Sequence, residues 1–201
     1  CWVKNVELVD LEYGIRVHRR SAHNTVSGVL IRDEQRNVSL PSVNPKSTFI
    51  NRMKQKAGGG HHPLEVFQGF YNLIEDFEFK EIHWHELSVE GTAAFNVFRK
   101  GKGIAVAFDN HRNAPYANLW TNIDIGRPER LWFNSGSNQV GVSGRERGPN
   151  AGFRNTYWNI TYKNVVPDIK IEPASTDGFA FLLREVGQVN YDNLAVLPDG
   201  T

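Results

Sequence analysis

The sequence predicts an all-β protein built as a solenoid, with short strands stacking repeat upon repeat, and three observations carry that expectation. An asparagine followed by a β-rich run recurs at Asn5, Asn24, Asn72, Asn118 and Asn155. Nineteen Asn and 18 Gly against a single Met favour strands and turns over helices. No stretch carries three turns of amphipathic helical periodicity. A β-sandwich also has many short strands and Gly/Asn turns, but gives no reason for the same octet to recur.

Taken in order, the chain opens at Cys1 within a strand-like run, so it reads as the C-terminal part of a longer solenoid, with residues 1–201 as one domain. Strands are expected at 14–18, after Asn24, after Asn72, and at 82–85, 95–99 and 103–108, then after Asn118 and Asn155 and at 179–185. Two stretches rich in Gly, Pro or Ser, at about 35–60 and 134–152, interrupt the pattern as long loops. An asparagine suits each repeat start because it tolerates a left-handed backbone and its amide can bond the next repeat.

Composition excludes several classes. A net charge of +1 and a pI of about 8.1 predict no nucleic-acid partner. No apolar run is long enough for a membrane span, and a single Cys excludes an intrachain disulfide or a cysteine-based zinc site.

Strict alternation then assigns faces. It turns Ile104, Val106 and Phe108 inward and Asp109 outward, followed by His111. It turns Ile82 and Trp84 inward with Glu81, His83 and His85 outward, and sets Arg16 and His18 outside beside Ile15 and Val17. Aligning 118–125 with 155–162 sets Trp120 over Tyr157 and Asn122 over Asn159 on the outer face, where paired rings would meet a sugar or a covering loop. Residues 109–155 hold six Arg against four acidic groups, an excess that favours an anionic ligand.

These residue types suit polysaccharide β-elimination, in which a base removes the proton beside a uronate carboxylate and a cation stabilises the resulting anion. His111, oriented by Asp109, fits the base; Arg112 and Arg154, with Arg145 and Arg147, fit the carboxylate. His83, His85, Trp120 and Tyr157 fit substrate binding. Hydrolysis would need two facing carboxyl groups, and Asp109 with Asp124 is the one pair to consider. His83 and His85 lack a third ligand and His61-His62 reads as a loop feature, so no metal site is expected. Asn37-Val-Ser and Asn159-Ile-Thr match the glycosylation acceptor pattern.

The run Asp109-Asn-His-Arg-Asn-Ala-Pro-Tyr-Ala-Asn-Leu-Trp, continuing through Arg147-Gly-Pro to Asn155-Thr-Tyr-Trp-Asn, resembles the C-terminal half of pectin-lyase-like right-handed parallel β-helix proteins over about residues 80–165. The resemblance implies a secreted or periplasmic carbohydrate-active protein, most readily a polysaccharide lyase on an anionic polymer, with no cofactor. Bound calcium in related lyases leaves that ion open, though no compact acidic cluster is found to hold one. The same scaffold also serves hydrolases and non-catalytic adhesive or structural elements. Asn110 stands where the resembled pattern commonly has a further histidine.

Overall fold

The computed structural model describes residues 1–34, 60–83, 85–111, 115–126, 132–133, 154–162 and 180–185, with the backbone alone at His111, 132–133 and 180–185. The described residues contain strands and turns: β1 (Trp2–Val9), β2 (Tyr13–His18), β3 (Thr25–Arg32), β4 (His62–Phe67), β5 (Leu73–Phe79), β6 (Leu87–Glu90), β7 (Val97–Gly103), β8 (Phe108–His111), β9 (Leu119–Asp124), β10 (Trp132–Phe133), β11 (Thr156–Tyr162) and β12 (Ala180–Glu185). Among these residues no helix is long and apolar enough to cross a membrane.

The strands form two sheets, one ordered β1-β3-β5-β7-β9-β11-β12 and the other β2-β4-β6-β8-β10. Up to β11, then, the chain alternates between the sheets, and each strand pairs with the strand two places on. Every strand pairing is parallel, with a single antiparallel bridge between Ala105 and Gly126. An antiparallel sandwich is excluded by that pairing.

Because the register is parallel, equivalent residues stack in columns about 4.8 Å apart. The core fills from both sheets: Val26, Ile74, Phe98, Trp120 and Tyr157 make one column of the seven-stranded sheet. Leu64, Leu87 and Phe108, with Val66 and Val89, face them from the other. Phe98 stacks on Trp120 at 5.4 Å and Trp120 on Tyr157 at 4.8 Å between ring centroids. The pairing of Trp120 with Tyr157 is as expected, but both rings lie inside, 0% and 2% exposed, not on the outer face.

A break in alternation inverts them. Asn5, Gly28, Asp76, Lys100, Asn122 and Asn159 all have φ between 53° and 69° and lie level with one another. One left-handed residue in each strand shifts the phase, so positions i and i+3, such as Trp120 and Ile123, both face the core. Strict alternation, applied across that residue, assigns the wrong side.

The asparagine repeat is real, with a different membership. Asn24, Asn72, Asn96, Asn118 and Asn155 form a ladder just before β3, β5, β7, β9 and β11. Each of the first four donates its backbone N–H, at 2.8–3.1 Å, and its Nδ2 to the Oδ1 of the next, and Asn155 Nδ2 donates to Asn110 Oδ1. Asn96 belongs to it and Asn5, which sits in the left-handed column, does not.

Two expected strands are corners. Residues 104–107 turn the chain between β7 and β8, and the described residues of 81–86 turn it between β5 and β6. Ala105 is buried in the first of these turns, between β7 and β8. The expected loops at 35–60 and 134–152 lie outside the described residues, apart from Gly60.

Gly101 shows how tightly the columns fit: a Cβ there would come within 2.0 Å of the Phe77 ring, which fills the space above it. Gly101→Ala is expected to lose about 1–3 kcal/mol of stability by urea denaturation, through overpacking against a ring with no room to retreat.

Candidate functional site

The outward face of the five-stranded sheet carries the chemistry. Ile15, Leu64, Leu87 and Phe108 face the core, so the next residues along, Arg16, Glu65, Ser88 and Asp109, form an outward row in register. Two residues further on, His18, Phe67, Glu90 and His111 form a second row. Tyr13 and His62 are level with each other at the start of the sheet.

Glu65, Ser88, Glu90 and Asp109 are all buried despite facing away from the core. Arg16 binds Glu65 at 2.6 Å and approaches Glu90 at 3.6 Å, with its guanidinium over the Phe67 ring. Burial pushes the Glu65 carboxyl up to about 7, with a hydrogen bond from Glu90 in the same direction and Arg16 opposing both. The two carboxyl groups thus share the Arg16 guanidinium on one face of the sheet.

Beside this pair lies an imidazole cluster. Ser88 Oγ donates to Asp109 Oδ2 at 3.1 Å, and having one hydrogen, it must accept from His62 Nδ1 at 2.8 Å. His85 Nδ1 lies 3.4 Å from the same Asp109 oxygen, and Tyr13 Oη 3.0 Å from His61 Nδ1. The rings of His61, His62 and His85 are 4.2–5.1 Å apart.

The expected site residues separate into groups. Asp109 and His85 meet here, and His111 closes β8 level with Glu90. His83 does not join them: it is buried against Glu81 at 3.0 Å and the edge of Phe79. Its expected outward position fails because the chain around His83 is not a strand, so strand alternation does not apply. Arg154 is exposed on the corner before β11, with φ 55°. Arg112, Arg145 and Arg147 lie outside the described residues, as do the side chain of His111 and the acceptor Asn37. Asp124 belongs to the seven-stranded sheet and accepts from Gly126 N, so it shares no face with Asp109. Asn110 points into the core and donates to Tyr157 Oη at 2.9 Å.

Sequence reasoning missed Glu65, Ser88 and Glu90. Their signal was legible in Leu64-Glu-Val and in Leu87-Ser-Val-Glu, where alternation holds without interruption.

An exposed aromatic stripe runs along the corner between the sheets. His23 stacks on Tyr71 at 5.5 Å, Tyr71 on Phe95 at 5.2 Å, and Phe95 meets the edge of Tyr116. Tyr71 and Phe95 are 55% and 42% exposed, so they form the outward ring surface that Trp120 and Tyr157 do not. Only three residues separate Phe67 from Tyr71, which keeps the stripe within about 15 Å of the acidic rows. Comparison with protein-family models, curated proteins and solved structures finds no match for this chain.

Proposed function

We propose that this chain is a right-handed parallel β-helix of a secreted, carbohydrate-active protein, and that it cleaves an acidic polysaccharide by β-elimination. The alternation of strands between two parallel sheets supports the helix, and parallel crossovers are right-handed in about 98% of cases. The observation that carries the activity is the Arg16–Glu65–Glu90 group on one outward face.

In this reading Arg16 meets a uronate carboxylate with its fork of donors. Glu65, ionised, removes the proton beside that carboxylate. The electron pair left behind forms the ring double bond as the glycosidic C–O bond breaks, and the departing oxygen takes up a proton. A carboxyl tuned near 7 suits that exchange at neutral pH. The stripe through Tyr71 and Phe95 offers the exposed edges of a ring stack along the polymer.

The test is the ultraviolet absorbance of unsaturated uronate released from a panel of uronate polymers. Product is expected to form at a rate that climbs as pH rises through about 7, since the base must be ionised, and Glu65→Gln should abolish it. No absorbance rise and no new reducing ends would overturn the activity. A second reading, a non-catalytic adhesive β-helix, draws on the exposed stripe: polymer would then be retained without cleavage, and Tyr71→Ala with Phe95→Ala would release it.

Glu65 also makes stability depend on pH. Its carboxyl holds its proton to higher pH when folded than the ordinary 4.5, so the folded state binds more protons between about 4.5 and 7. Stability from this group is present below that window and lost as pH rises through it, by up to about 3 kcal/mol. Thermal melting should show Glu65→Gln indifferent at pH 4 and relatively stabilised at pH 8.

A further inference from the structure

We propose that His61, His62 and His85 bind a divalent transition-metal ion of the zinc type, in a site that stands whether or not the chain cleaves polysaccharide. One ring nitrogen from each lies within 4.8 Å of the others, and no other group of three or more His, Cys, Asp or Glu side chains so arranged occurs among the described residues.

The backbone presets the cluster. His85 N donates to His61 O at 2.9 Å, and both His61 N and His62 N donate to Glu12 O, which ties the three residues to one another and to β2. Gly60 leads in with φ 82°, where a Cβ would come within 2.0 Å of Leu11 O, so the approach to His61 is fixed.

The surrounding hydrogen bonds set the tautomers a metal needs. His62 Nδ1 carries its hydrogen toward Ser88, because Ser88 spends its own on Asp109. His85 Nδ1 likewise faces the Asp109 carboxylate. Both imidazoles therefore hold their lone pair at Nε2. A ligand nitrogen opposite an N–H bonded to a carboxylate or hydroxyl is the outer arrangement of histidine metal sites, and it raises ligand basicity. Tyr13 takes the corresponding place beside His61.

Three imidazoles without a thiolate suit zinc over calcium or magnesium, which take oxygen. Zinc bonds of about 2.0–2.1 Å bring nitrogens to about 3.4 Å, within reach of small ring rotations. A fourth position would hold water, as in sites with three protein ligands.

The experiment uses the chain in a Cys1→Ser background, since Cys1 is exposed and its thiol would bind metal by itself. After chelator treatment, Zn²⁺ is titrated against a chromogenic competitor, with His ring ¹⁵N shifts followed by NMR. One equivalent is expected, with three ring systems shifting at Nε2 for His62 and His85. His62→Gln and His85→Asn should each weaken binding by more than 100-fold, Asp109→Asn by about 10–100-fold, and His23→Ala not at all. Absence of saturable binding overturns the proposal, as does binding that moves other rings or survives both ligand variants. The wild-type NMR result decides the matter even if a variant fails to fold.

Discussion

Asn96→Ala should cost about 3–5 kcal/mol by denaturant unfolding, more than any exposed substitution in the protein. Asn96 is fully buried. Its Oδ1 accepts from Asn72 N and Nδ2, while its Nδ2 donates to Gly69 O and Asn118 Oδ1, all at 2.9–3.0 Å. Truncation removes these four bonds and strands the buried backbone donor of Asn72, at about 1–3 kcal/mol for an uncompensated group, while Asn72 Nδ2 keeps Ser21 O and Gly69 O keeps Ala94 N. Backbone bonds on both sides survive, so the chain relaxes and the penalties fall short of adding. Asn96→Asp should be as damaging, because it keeps the acceptor but loses the donor and buries a charge. At Asn24, the half-buried end of the ladder, the same change should cost about 1 kcal/mol. Equal effects at both positions would overturn the assignment of this cost to the buried side-chain bonds of the ladder.

Trp120→Ala is expected to lose about 3–5 kcal/mol, the cost of an emptied aromatic site in a packed core. The indole lies between Phe98 and Tyr157 with the edge of Phe108 against it, and none of its surface is exposed. An outward Trp would give a change within about 0.5 kcal/mol, so one melting curve separates the two positions. Trp120→Phe should cost far less. The indole Nε1–H has no hydrogen-bond partner among the described residues, and a phenyl ring removes that buried donor while keeping the stack.

The parallel pairing and the repeat were legible because they rest on signals repeated many times along the chain. Asn118 and Asn155, with Trp120 level with Tyr157, appear together in sequence and in space. What misled was local. Asn122 and Asn159 carry positive φ, which asparagine tolerates, and strict alternation runs straight across them as though they were ordinary strand positions. Asp76 and Lys100 occupy the same column, Lys100 with Gly101 directly after it. Asn96 escaped notice because Phe95 before it looked like the start of a strand, when it is an exposed left-handed corner.

The candidate site was half legible for the same reason. Glu65 and Glu90 follow simple alternation and were readable in principle. The meeting of His61 and His62 with His85 was not, because it depends on stacking one repeat over another through Ser88 and Asp109. Spacing within a single strand cannot reveal a partner that arrives from the next.

The asparagine ladder has a consequence for how such a chain can change over time. Its members are 48, 24, 22 and 37 residues apart, yet the bonds joining them are nearly identical. Alignment is enforced by side chains at fixed corners, so the length of polypeptide between them is free to vary, at about 0.6 kcal/mol per doubling. Insertions between one ladder member and the next can accordingly be exchanged without disturbing the frame.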